Sequence, residues 1–291
     1  MSPLLFWLSR RSLRFLHALG AGAGWLAYAG SASYRARLRA NAALAGVDTQ
    51  ARRASVAEAG KLLAELPRLW LRPREQAIND PVRWEGAELI EQVLDEGRGL
   101  ILLTPHMGSF EVAAQAYAQR FGARKPITVL YRPARQAWLR ELEETARARP
   151  ALATAPATLA GVRQLMRALR QGQSLGLLPD QVPPDGMGVW APFFGQPAYT
   201  MTLAAKLAQL SGAAVLLIWA ERLPHGAGYV VRLQPLAQAL PERAALSEEA
   251  WTLAAAAAIN RSMESVILQQ PSQYLWAYHR YKNPRQARPA P

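Results

Sequence analysis

Five short runs, almost wholly apolar, recur along the chain with helix-length stretches between them: Gly99–Thr104, Ile127–Tyr131, Ser174–Leu178, Ala213–Ala220 and 228–234. Alternating polar and apolar residues mark a strand with one wet face. Runs that are apolar throughout mark strands covered on both faces, the pattern of a mostly parallel sheet with helices packed on either side. The intervening stretches read as helices over 34–46, 109–121, 135–148, 158–171, 200–210 and 247–269. A further helix over 50–66 stops at Pro67. The expected class is therefore α/β with a mostly parallel central sheet flanked by helices. Residues 181–199, rich in proline and glycine, read as one long loop. No internal repeat and no linker divides the chain, so one catalytic domain is expected over 35–282. A frayed tail over 283–291, with three prolines, follows it.

The first 34 residues look different. Arg10, Arg11 and Arg14 precede Phe15 to Tyr34, twenty residues without a charge. That length suffices for a bilayer core of ~30 Å. The segment also carries Gly20, Gly22, Gly24, Gly30 and His17, which weaken a spanning helix, and Trp7, Phe15, Trp25 and Tyr28, which suit an interfacial one. The expectation is an N-terminal membrane-associated helical segment, single-span or lying in the interface, with a buried helical hairpin and a signal peptide as the alternatives. Charge agrees with it. The chain has 34 basic and 21 acidic residues, a net +13. Residues 1–74 hold twelve basic and three acidic residues, hence nine of those thirteen charges. A basic region beside apolar sequence suits an anionic membrane surface. No zinc-finger, RNP or helix-turn-helix signature accompanies it, so no nucleic acid partner is expected.

There is no cysteine and there are only four histidines. That excludes disulfides, a thiolate nucleophile, cysteine-ligated zinc and iron–sulfur clusters. Neither a metal nor a cofactor is expected. The chemistry must then come from oxygen and nitrogen groups. His106-Met107-Gly108-Ser109-Phe110-Glu111 follows the first apolar run directly. A histidine there can take a proton from a hydroxyl, and a carboxylate can fix its tautomer. On one helix, a spacing of five residues would separate the two side chains by about 140°. They meet only if His106 precedes the helix, Ser109 caps it and Glu111 lies in its first turn. The amides at 109–112 then face the site as an oxyanion hole. Arg132 and Asp180 also fall at the carboxyl ends of expected strands, where α/β sheets bind ligands.

Taken in order, HMGSFE (106–111), YRP (131–133), ARAR (146–149), LGLLPDQ (175–181), APFFGQPAYT (191–200) and QYLWAYHRYK (273–282) resemble the late acyltransferases of lipid A biosynthesis, within the wider lysophospholipid acyltransferase-like superfamily. The resemblance runs from about Leu13 to Lys282. It implies His106 as general base and Glu111 as its orienting carboxylate. Arg147 takes the family's arginine position, and either Arg147 or Arg132 steadies an oxyanion or a phosphate. Asp180 matches a functional aspartate, for which holding an arginine is one physical reading. Gly195 and Thr200 shape an acceptor loop, and Trp276, Arg280 and Lys282 match a C-terminal block. The implied partners are acyl carrier protein as acyl donor, a glycolipid acceptor and the cytoplasmic face of a bacterial inner membrane. A related transferase acting on a lysophospholipid, an ornithine lipid or another glycolipid keeps the same residues. A non-catalytic, carrier-docking membrane protein needs none of them.

Overall fold

The computed structural model describes residues 3–132, 136, 140, 143, 146, 147 and 149–286. Most of the helix expected over 135–148, and the tail beyond 286, lie outside the described residues. Four helices come first: α1 (Pro3–Ser9), α2 (Leu13–Gly30), α3 (Ala32–Leu44) and α4 (Thr49–Trp70). The remainder runs β1 (Val82–Glu85), α5 (Ala87–Asp95), β2 (Leu100–Leu103), α6 (Phe110–Phe121), β3 (Ile127–Tyr131), β4 (Leu152–Pro156), α7 (Leu159–Arg170) and β5 (Ser174–Leu177). Then follow β6 (Gly188–Phe193), β7 (Gln196–Met201), α8 (Leu203–Ser211), β8 (Ala214–Arg222), β9 (Tyr229–Pro235) and α9 (Glu248–Gln269).

Seven strands make one sheet in the order β1-β9-β8-β2-β5-β3-β4. β8, β2, β5, β3 and β4 are mutually parallel, and only the β8–β9 pair is antiparallel. β2 sits at the centre with all four residues buried, as a strand covered on both faces must. Its side chains divide between two cores. Ile101 and Leu103 join α7, α8, α9 and the C-terminal segment; Leu100 and Leu102 join α5 and α6. All five expected strands are present. β1 and β4 were not expected, nor was the hairpin β6–β7 inside the stretch read as a loop. Phe194 and Gly195, both at positive φ (45° and 73°), form its two-residue turn.

The N-terminal helices α1 and α2 pack as a layer on α4. α2 lies against α4 so closely that a Cβ on Gly60 would stand 1.9 Å from the Gly20 carbonyl oxygen. Of the glycines that weaken a membrane span, Gly20 and Gly24 are therefore contact residues, while Gly22 and Gly30 face open space. His17 is buried in this interface. Among the described residues, no helix is long and apolar enough to cross a membrane, so the single-span alternative is not supported. α4 also continues through Pro67 to Trp70. Its C-terminal end is captured from outside, with Arg72 and Arg149 both donating to the carbonyl of the buried Leu69 (2.7 and 2.8 Å). Tertiary partners thus offset what proline costs a helix.

Candidate active site

β2 ends at Leu103, and the chain turns through Pro105 before presenting His106. Gly108 has φ +55°, and a Cβ there would lie 2.1 Å from the Ala220 carbonyl oxygen at the end of β8. Only glycine lets the loop pass that close. The Ser109 amide then donates to that same carbonyl (2.8 Å), the Gly108 amide donates to Gln273 (3.0 Å), and α6 begins.

His106 is gripped by Asp180, which follows β5, the strand beside β2. Its Nδ1 lies 2.7 Å from Asp180 Oδ1, and its backbone amide donates to Oδ2 at 2.9 Å. Asp180 is 1% exposed. Burial would raise its carboxyl, yet the His106 ring and amide, and then Arg280, hold it below the ordinary carboxylate range. An ionised carboxylate only accepts, so Nδ1 carries the proton, which leaves Nε2 as the nitrogen that can take one up. Phe110 packs edge-on against the ring at 5.3 Å, which fixes its plane.

Glu111 has a different partner from the one expected. It accepts from Arg147 through Nη2 (2.5 Å) and Nε (3.2 Å). Arg147 lies in turn 3.9 Å from Glu143 and over the Trp70 ring. The assignment of Glu111 as the carboxylate on the His106 ring is thus corrected in favour of Asp180. The reason is topological: the loops after adjacent parallel strands lie side by side, whereas Glu111, already in α6, projects from the helix toward Arg147.

These groups share one cleft of about 420 Å³ at the carboxyl ends of β2, β3 and β5. His106, Glu111, Arg147, Arg132, Glu143 and Gln181 supply its polar wall; Ala114, Val129, Leu130, Leu152, Leu178 and Met201 make the rest largely aliphatic. Beyond Phe110, Ala114, Val129 and Leu178, a small apolar cavity continues toward Ile127, Gly176 and Ile218. Arg132 is exposed at the rim, with no ion-pair partner among the described residues. The α6 amides divide: those of Ser109 and Val112 are spent on Ala220 and Ser109. Those of Phe110 and Glu111 have no acceptor among the described residues. Those same residues hold no cluster of acids and histidines fit for a metal ion.

Three expected site residues do not face the cleft. The Ser109 hydroxyl is fully buried, lacks a well-formed hydrogen bond, and stands against Glu65, whose acidity it supports. Gly195 makes the β6–β7 turn, where positive φ is needed. Thr200 is wholly buried; its hydroxyl accepts from Asn260 (2.9 Å) and from Arg280 (2.8 Å). Arg280, 2% exposed, also donates to the Tyr199 carbonyl and contributes to the field on Asp180. Its position in the C-terminal block is now explained: it ties the hairpin to the floor of the site. Trp276 is a buried packing residue bonded to the Pro271 carbonyl, and Lys282 lies over the Tyr278 ring.

A group missed from the sequence is Glu65, on α4 and 0% exposed. It receives His17 Nε2 (3.0 Å), Arg222 (3.2 Å) and the Tyr229 hydroxyl (3.2 Å), directly behind Ser109. Only the oddity of an acid on the apolar face of α4 could have signalled it.

The fold and site together define an α/β protein with an aspartate-held histidine over an aliphatic cleft at its strand ends. Residues 4–283 match the bacterial lipid A biosynthesis acyltransferase family, and the chain belongs to that family. It is 28% identical to the lipid A biosynthesis lauroyltransferase of Escherichia coli K12 over 204 residues, which cover 69% of this chain and 62% of that protein. It is 26% identical to the palmitoleoyltransferase of the same organism over 224 residues, 77% and 68% of the two chains. An acyltransferase of the same pathway from Haemophilus influenzae matches at 26% over 191 residues, 66% and 56%. The match with the lauroyltransferase therefore spans less than two thirds of that relative.

Proposed function

We propose that the protein is an O-acyltransferase that moves a fatty acyl chain from an acyl carrier protein thioester to a hydroxyl of a lipid A precursor. The observation that carries the reading is the 2.7 Å contact of His106 Nδ1 with Asp180, in a ring that lines an aliphatic cleft. Nε2 takes the proton as the acceptor oxygen attacks the thioester carbonyl. The tetrahedral oxyanion meets the α6 N-terminus, where the Phe110 and Glu111 amides are available. The intermediate then expels the thiol, which leaves with the proton held by His106. No covalent acyl-enzyme is needed.

Arg147 is neutralised by Glu111, so among the described residues that line the cleft the cation left for an anionic group is Arg132 at the rim. The aliphatic wall, continued past Phe110, suits an acyl chain. Membrane association at the cytoplasmic side of the inner membrane is supported by the outer surface of α1 and α2, where Leu4, Phe6, Trp7, Phe15, Leu19, Trp25 and Leu26 are all exposed beside Arg10, Arg11 and Arg14. Such a surface lies in an interface without crossing it. The test is mass spectrometry of lipid A from cells with and without the gene, repeated with His106→Ala. Loss of one acyl chain is expected, with at least a ~10²-fold fall in turnover by the folded variant in vitro. Unchanged lipid A, or unchanged turnover by His106→Ala, refutes the reading.

A further inference from the structure

α7 carries no acidic residue, and three of its arginines, Arg163, Arg167 and Arg170, are exposed. At 100° per residue the three fall within an arc of about 60°. None has an ion-pair or hydrogen-bond partner among the described residues, although eight other arginine and lysine side chains there pair with a carboxylate. Apolar residues interleave with them. Leu159 is 68% exposed at the start of the same face, and Met166 lies half-buried in a shallow groove that the three arginines border. Lys206 is exposed on α8, the neighbouring helix. Arginines in a last helical turn favour the helix dipole, which accounts for Arg167 and Arg170. It does not account for Arg163, in the second turn.

Position gives the stripe its meaning. Thr158 caps α7 and follows Ala157, which lines the catalytic cleft. The arginines therefore lie about 8 to 18 Å along the helix axis from the mouth of the site. α7 packs over β3, β4 and β5, while the exposed apolar face of α2 belongs to the layer built on α4. Lipid contact and this stripe use different elements.

We propose that the outer face of α7 docks the donor, a small acidic carrier protein that presents the acyl thioester on a flexible arm. This rests on the acyl-transfer reading above and adds where the donor binds. Charge complementarity selects the partner: a basic, acid-free helix with apolar interleaving fits an acidic helix and repels another copy of itself. The groove accepts side chains of the partner; the arm alone enters the cleft beyond Ala157.

The test compares wild type with Arg163→Glu/Arg167→Glu/Arg170→Glu, whose three sites are exposed, after matching their thermal midpoints. Each is assayed with the same acyl chain on acyl carrier protein and on pantetheine, which lacks the protein. Binding of fluorescently labelled acyl carrier protein is followed in parallel. We expect the KM and Kd for the carrier to rise at least ~10-fold in the variant, with kcat within twofold and the pantetheine reaction unchanged. A carrier Kd within twofold of wild type overturns the proposal. So does an equal loss with both donors, or a loss confined to pelleting with phosphatidylglycerol vesicles, which would make the stripe a lipid contact. Wild type inert with either donor instead removes the acyl-transfer reading, and this surface with it.

Discussion

A carboxylate that accepts from both the amide and the ring of one histidine sets that ring in place and in tautomer. Asp180→Asn keeps the shape but replaces an obligatory acceptor with a group that also donates. The ring is then free to turn its protonated nitrogen toward the substrate, and kcat should fall at least ~10²-fold, with only a modest fall in melting temperature because the isosteric amide still accepts from the His106 backbone. Glu111→Ala should read differently. It strips the partner from a mostly buried Arg147, whose charge Glu111 sustains against the penalty of burial. Losing one member of such a pair costs about 3 kcal/mol. Thermal unfolding should therefore show the larger change for Glu111→Ala and steady-state kinetics the larger change for Asp180→Asn. The reverse order would restore Glu111 as the carboxylate that serves His106.

At the scale of elements, α2 has two faces with opposite demands. The inner one is held by the Gly20–Gly60 approach and the His17–Glu65 bond. The outer one leaves Leu26 76% exposed beside Trp25. Leu19→Gln/Leu26→Gln should leave unfolding unchanged and cut co-sedimentation with anionic vesicles several-fold, since each side chain withdrawn from lipid forfeits about 1.5–3 kcal/mol at full burial. Co-sedimentation equal to wild type would move the lipid contact elsewhere. Elements of this kind differ in how plainly the sequence announces them. β2, β3, β5, β8 and β9 were legible because strands buried on both faces must be apolar throughout. β4 was hidden inside Leu152–Pro156, whose proline and alanines carry little strand signal, and it sits at the sheet edge where both are tolerated. β6 and β7 were hidden by prolines that a hairpin outside the main sheet accommodates. The same limit applied to the site. His106 and Arg132 could be placed at the cleft from local pattern, and Arg147 only through the family resemblance. The partner of His106 lies 74 residues away, and strand order, which no local pattern encodes, decides the pairing.

Across the whole molecule, two wholly buried carboxylates hold distant segments together. Burial would raise both. His106 and Arg280 hold Asp180 below its ordinary value; Arg222, His17 and Ser109 do the same for Glu65. A carboxyl depressed in the folded state adds stability in full above its unfolded pKa of ~4 and loses it as pH falls through the lower native value. The melting temperature should hold down to about pH 4 and drop steeply below it, less steeply in Asp180→Asn, which no longer has that proton to take up. A flat profile into that acid range would show that neither carboxylate is held low.

Glu65 joins the beginning of the chain to its late strands: His17 from α2, Arg222 and Tyr229 from β8 and β9, and Ser109 beside the catalytic loop. A version shortened to begin after α2, the usual expedient for making a lipid-binding enzyme easier to handle, would uncover this knot and take away His17, one of its hydrogen-bond partners. The residues that seem dispensable on a purification bench are the back wall of the active-site loop, so the greasy end of this protein must be kept and its detergent tolerated.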